Sequence, residues 1–340
     1  MSPAKYVGNG DDVQRRGAGK GEREEALKEN RGLFLVLLLP SAMGWGKEGH
    51  FAICKIAQGL LNKETLAAVR ALLPDYADGD LAAVCSWADE VRFHMRWSSP
   101  LHYVDTPDFR CNYKYCRDCH DTVGRKDRCV TGAIYNYTEQ LLLGVHDLNS
   151  EKNNNLTEAL MFLSHFIGDV HQPLHVGFLG DEGGNTITVR WYRRKTNLHH
   201  ASANILVWDT MIIDSSLKTF YNSDLSNLIQ AIQSNITGVW FMDSLSWRNC
   251  TADHVVCPDP YASESIELAC KFAYRNATPG TTLGDDYFLS RLPVVEKRLA
   301  QAGVRLAATL NRIFTSTPIN VTKLNVLNGD HRTSYSTEIM

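Results

Sequence analysis

No apolar run in this 340-residue chain is long enough to cross a bilayer as a helix, which takes about 20 residues. The nearest candidate is the short stretch Gly32 to Pro40 (Gly-Leu-Phe-Leu-Val-Leu-Leu-Leu-Pro). Ser41, Ala42 and Gly44 follow it, so it fits the apolar centre of a secretory leader cleaved before Trp45. A membrane anchor is therefore not expected, and residues 1–44 are set aside as a removable extension. Their length and charge leave open a later translation start. Excess positive charge is missing too: 35 Lys and Arg stand against 38 Asp and Glu, a formal net charge of −3. A module that grips duplex DNA through its phosphates needs a basic face. The balance argues against that class and leaves open an enzyme that holds its substrate at few points, with bound cations supplying charge locally. Paired CxxC knuckles are absent around Cys111, Cys116, Cys119 and Cys129, which argues against thiolate zinc binding. No Gly/Ser linker or internal repeat divides 45–314.

What is present begins with nine cysteines and six Asn-x-Ser/Thr sequons, at Asn136, Asn155, Asn235, Asn249, Asn276 and Asn320. Together with a leader they fit an oxidising, glycosylating route to an extracellular or vacuolar compartment. An odd cysteine count leaves at least one thiol free or paired between chains.

Helical periodicity dominates. Phe51, Ile53, Cys54, Ile56, Ala57 and Leu60 share an apolar face, and Leu66 to Leu73 reads as a second short helix. Further helices are expected over 81–91, 133–148 and 156–170, and from Val207, Leu225 and Ser263. A long one runs over about 286–314, with Pro293 placed to kink it. Alternation over Ile187 to Tyr192 marks a strand in a small hairpin. The expected fold is thus mainly α, one domain over 45–314, with a loose tail at 315–340.

The chemistry concentrates in Leu-Ser-His165-Phe-Ile-Gly-Asp169-Val-His171-Gln-Pro-Leu-His175. His165 and Asp169 are one helical turn apart on one face, and Pro173 bends the chain so that His175 can approach from another direction. Imidazole and carboxylate without thiolate suit a zinc that does chemistry better than a structural one. The alternative is a set of satisfied core histidines, which is costly for several imidazoles and a carboxylate in one apolar helix. Other His and Asp motifs flank this one. Trp45-Gly-Lys-Glu-Gly-His50, Ser86-Trp-Ala-Asp89-Glu-Val-Arg92 and His102-Tyr103-Val-Asp105 precede it. Gly183-Gly184-Asn185, Asn197-Leu-His199-His200 and Val207-Trp208-Asp209 follow.

This ordered set resembles the S1/P1 nucleases, zinc-dependent enzymes of fungi and plants that cut single-stranded nucleic acid, and especially the plant bifunctional nucleases. The resemblance runs from Trp45 to about Phe314. It implies a helical fold shared with bacterial zinc phospholipase C, and three zinc ions. Two of these share Asp169: one is also held by Asp89, His102 and His165, the other by His50 and the amino group and carbonyl of Trp45. The third takes His175, His199 and Asp209. An internal Trp45 has only a peptide nitrogen, so this ligand set requires cleavage before it, leaving an amine of pKa ~8 that gives up its proton to a metal. Asp89 is implied to orient the attacking water and Arg92 to stabilise the phosphoryl group; from the residues alone Arg92 reads nearly as well as a solvated helix-face arginine. Tyr103 resembles the aromatic that stacks a base, with Asp105 and Asn185 as its hydrogen-bonding partners and Gly183 and Gly184 letting the backbone approach. Disulfides Cys54–Cys85 and Cys119–Cys129 are also implied.

One departure stands out. The family pattern runs Asn-Leu-His-x-Val-Trp-Asp, but here Ala201 to Leu206 intervene between His200 and Val207. In a continuous helix six residues add roughly 9 Å of rise and about 240° of rotation. Either the insert loops out or the third site is impaired; helical spacing favours impairment, with Asp209 still the preferred ligand.

The implied activity is endonucleolytic hydrolysis of single-stranded DNA and RNA to 5′-phosphorylated products, with 3′-nucleotidase activity, by a monomer with no stable protein partner. The alternatives are a zinc phospholipase C, which uses nearly the same ligands, and a catalytically impaired glycoprotein that keeps the fold.

Overall fold

A computed structural model describes residues 44–145, 153–199, 206–250 and 254–315. The leader, the tail after 315, Asn320 and residues 200–205 of the insert region lie outside the described residues. The chain is mainly helical, as its periodicity predicts. In order come α1 (Lys47–Gln58), α2 (Lys63–Leu72), α3 (Trp87–Val91), α4 (Tyr115–Asp118), α5 (Val130–Gly144) and α6 (Asn153–Asp169). After a small sheet follow α7 (Ile212–Phe220), α8 (Leu225–Thr237), α9 (Phe241–Trp247), α10 (Pro258–Leu268) and α11 (Asp285–Thr315). Among the described residues no helix is long and apolar enough to cross a membrane.

α6 is the axis of the site. Every residue from 159 to 178 is buried, so the His and Asp side chains there have only protein for surroundings. α1 brings His50 against it, and Gly168 makes the approach possible. A Cβ at Gly168 would sit 2.8 Å from His50 Nδ1, closer than packed atoms allow. On its other side α1 packs on α11, where a Cβ at Gly303 would lie 2.8 Å from the Cβ of Ile56. α11 runs unbroken through Pro293.

The expected hairpin forms from β1 (Thr188–Trp191) and β2 (Arg194–Asn197), antiparallel, with Val189 opposite Thr196. A two-residue β3 (Thr282–Leu283) adds to it in parallel, so the sheet order is β2-β1-β3. The expected helix over 81–91 is instead a 3₁₀ turn, Leu81–Val84, followed by the short α3. Asp80 caps the turn by accepting from Ala82 N at 3.0 Å, and Cys85 at its end is tied to Cys54 of α1.

Both implied disulfides are present, and Cys111–Cys270 and Cys250–Cys257 join them. The odd thiol is Cys116, which is exposed. Cys111–Cys270 spans 159 residues and ties the loop after the Tyr103 segment to the Ala269–Ala273 turn that follows α10. Spacing gave no signal for it.

Candidate metal centre

Asp169, at the last turn of α6, is the hub. Its Oδ2 lies 3.1 Å from His165 Nε2 and 3.0 Å from His102 Nδ1. Its Oδ1 lies 3.3 Å from His50 Nε2 and 3.7 Å from His175 Nδ1. Asp89 reaches the same point from α3, with Oδ1 3.6 Å from His102 Nδ1 and 3.7 Å from His165 Nε2. His50 and His165 stack with ring centroids 3.9 Å apart. Six residues from five separate segments thus converge around one carboxylate.

A third group forms beside them. The Pro173–Val176 turn carries His175, whose Nδ1 donates to His102 O. His199 stands at the end of β2 with its ring centroid 4.9 Å from that of His175. His199 Nε2 is 3.5 Å from Asp209 Oδ1. His50–Asp89–His165, His102–His165–Asp169 and His175–His199–Asp209 are each buried triads whose ligand atoms lie within 4.8 Å of one another. The expectation that the insert parts His199 from Asp209 is therefore corrected. The two do not share a helix: His199 follows a strand, and Asp209 sits in a π-turn over Val207–Met211. Leu206 pairs back onto Asn197, and Trp208 N donates to Leu198 O at 3.3 Å, so the extra residues fall between two fixed ends.

Electrostatics mark these side chains as short of partners. Among the described residues His50 Nδ1 and Nε2, His102 Nε2, Asp89 Oδ1, Asp169 Oδ1 and Asp209 Oδ2 are buried and make no hydrogen bond. Such atoms are costly unless something binds them. Burial, with His165 adding to it, pushes His50 down to about 4, and burial also lowers His102. Burial opposes a charge on His165 as well, but Asp169 and Asp89 outweigh it and raise that imidazole to about 9. Burial drives Asp209 well above the ordinary carboxylate range. The upward shifts of His165 and Asp209 run against the neutral imidazoles and ionised carboxylates that a divalent cation requires, so binding one there would displace protons; the donor set fits zinc by type and number. His165 Nδ1 donates to Cys85 O at 2.8 Å, which fixes its ring and leaves Nε2 toward the cluster. Gln172, missed by the sequence reading although it lies within the central motif, donates to Asp209 Oδ1 at 2.5 Å.

Trp45 is fully buried, and Gly46 N donates to Asp209 O at 2.8 Å. The backbone of Gly44 enters the cluster itself: a Cβ there would lie 1.7 Å from Asp169 Oδ1 and 2.7 Å from His50 Nε2. Arg92 is buried rather than solvated. Its Nη1 is 3.7 Å from Asp89 Oδ1, and its Nε and Nη2 have no hydrogen bond.

Beside the third triad is a cleft lined by Tyr103, Asp105, Leu174, Glu182, Gly183, Asn185 and His199. Val104 N donates to His175 O and Thr106 N to Gly177 O, both at 2.8 Å, so the segment from Tyr103 to Asp105 lies directly along the metal-site turn. Gly183 adopts φ +65°, and a side chain there would meet Leu174 O at 2.6 Å. Burial raises the Asp105 carboxyl to about 7 and the Tyr103 hydroxyl to about 12. Asn185 Oδ1 is buried without a partner. Leu174 and Glu182 were not foreseen; the Glu-Gly-Gly sequence was the available signal for the turn that places Glu182 (φ +53°).

A family model described as S1/P1 Nuclease matches residues 45–315. Endonuclease 4 of Arabidopsis thaliana is 67% identical over 290 residues, 85% of this chain and 95% of the relative. Endonuclease 2 of the same plant is 54% identical, covering 83% and 94%. Nuclease P1 of Penicillium citrinum is 31% identical, covering 80% and 98%.

Proposed function

The chain belongs to the S1/P1 nuclease family and is a nuclease, and from this premise we propose that it is a zinc-dependent endonuclease of single-stranded DNA and RNA. It leaves 5′-phosphorylated products and also removes 3′-phosphates from nucleotides. The observation that carries the reading is the set of three buried His/Asp triads joined through Asp169 and its neighbours.

Zinc would be held by Asp169 together with Asp89, His102 and His165 on one side and with His50 and Trp45 on the other, and by His175, His199 and Asp209 beside them. When bound, zinc supplies an acidified water and neutralises charge on the phosphoryl and leaving oxygens. The chain's own residues do the rest. Asp89, at the solvent-facing edge of the cluster, orients the attacking water. Arg92 has guanidinium nitrogens to spare, and a phosphoryl oxygen satisfies them with charge-assisted hydrogen bonds. Tyr103 stacks a base, while Asp105 and Asn185 hydrogen-bond its edge. Stacking demands an unpaired base and is indifferent to its identity, hence a single-strand preference.

The leader is removed before Trp45 and the protein is exported to the cell exterior or the vacuole as a glycosylated monomer. Gly44 supports this: uncleaved chain occupies the space between Asp169 and His50. Asn136, Asn155, Asn249 and Asn276 are exposed, as glycosylation requires; Asn235 is partly so. The test is hydrolysis of single-stranded against duplex DNA by secreted protein, with phosphatidylcholine as a parallel substrate. Preference for phosphatidylcholine overturns the reading in favour of a phospholipase.

A further inference from the structure

The β1–β2 hairpin holds four cations within six residues: Arg190, Arg193, Arg194 and Lys195, all exposed. Arg190 and Lys195 stand directly opposite each other across the ladder. Like charges in that position repel. No carboxylate among the described residues pairs with any of the four; the nearby Asp285 instead accepts from Tyr192 Oη at 2.6 Å. In a chain of formal net charge −3, this repulsion is local and uncompensated, which fits an anionic ligand.

The hairpin is also continuous with the substrate cleft. Asn197 Nδ2 donates to the backbone O of Asn185 at 2.7 Å, and Leu198 N donates to Ile187 O at 2.9 Å. Asn185 and His199, at the two roots of the hairpin, both line the cleft. At ~3.3 Å per residue, Lys195 lies about 13 Å along the strand from His199. A single nucleotide in the cleft does not span that distance; a strand of several does. Tyr192, partly exposed at the turn, offers a ring beside the cations.

We propose that this hairpin is a phosphate-backbone subsite that holds the single strand several nucleotides from the bond being cut, an inference that rests on the nuclease reading above. Its ligand is the phosphodiester chain, bound through charge and without regard to base. It supplies the substrate grip that the acidic balance of the molecule otherwise lacks.

The test compares the zinc-loaded enzyme with a variant in which Arg190, Arg193, Arg194 and Lys195 are all replaced by Gln, and with one in which the three arginines become Lys. Fluorescence anisotropy with a phosphorothioate strand of about 20 nucleotides reads binding without turnover. The Gln variant is expected to bind more weakly, with a salt slope lower by ~0.7 per lost contact, up to ~3 in all. Its ratio of kcat/KM on the long strand to that on a dinucleotide should fall about tenfold, and the Lys variant should behave as the parent does. Thermal melting coincident with the parent shows that the fold is kept. Unchanged affinity and salt slope in the Gln variant overturn the proposal, as does an equal loss in the Lys variant. If the parent cuts no single-stranded DNA, the functional reading fails, while anisotropy still decides the hairpin.

Discussion

Asp169 carries more of the site than any other residue, because one carboxylate meets His50, His102, His165 and His175. Asp169→Asn is expected to abolish hydrolysis and reduce bound zinc, since a neutral amide removes the negative charge that would hold cations among these four imidazoles; metal analysis beside an activity assay checks both. Arg92→Ala should leave bound zinc unchanged and lower turnover by about 10²-fold, the scale seen when one preorganised charge-stabilising donor is lost. Loss of metal with unchanged rate contradicts its assigned role. Asp105 gives a pH prediction. Its carboxyl is raised to about 7 by burial, so it is neutral below that pH and can both donate to and accept from a base. Above it, an anion faces a polyanionic substrate. KM for single-stranded DNA is therefore expected to rise as pH passes through about 7, and Asp105→Asn, which cannot ionise, should flatten that rise.

At the scale of elements, α11 holds the turn that the site depends on. Arg298 donates from Nε to His171 O at 3.0 Å and from Nη1 to Glu264 at 2.7 Å. Arg305 meets both His171 Nε2 and Glu264. This network satisfies the carbonyl just past the end of α6, between Asp169 and His175. Removing Arg298 takes the donor from that carbonyl, while Glu264 keeps Arg305 on both oxygens. Glu264 keeps some solvent contact, so Arg298→Ala should cost roughly 2–3 kcal/mol, below the range for a fully buried pair; chemical denaturation measures it. The same scale shows what the sequence could reveal. Periodicity located α1, α5, α6 and α11, and i, i+4 spacing found His165 with Asp169, because both are local. His199 with Asp209, Cys111 with Cys270 and the Arg298 network are contacts between separate elements, ten residues apart or far more, set by packing that no local pattern encodes. The insert was misjudged for that reason: helical arithmetic assumed a continuous helix where a strand end and a π-turn meet.

At the scale of the whole molecule, a slightly acidic chain presents buried carboxylates and imidazoles at one centre and a basic hairpin at its edge. The N-terminus of the secreted protein should be Trp45; an active, fully loaded preparation that retains Gly44 contradicts the ligand role given to it. On the proposed reading, three bound ions, and not the fold alone, make this chain a single-strand nuclease. Elemental analysis of the purified secreted protein, paired with hydrolysis of single-stranded DNA before chelation, after it and after zinc is restored, tests that claim most directly. Three zinc ions per chain are expected, with activity lost when they are removed and regained on their return. Full activity in protein stripped of metal contradicts it.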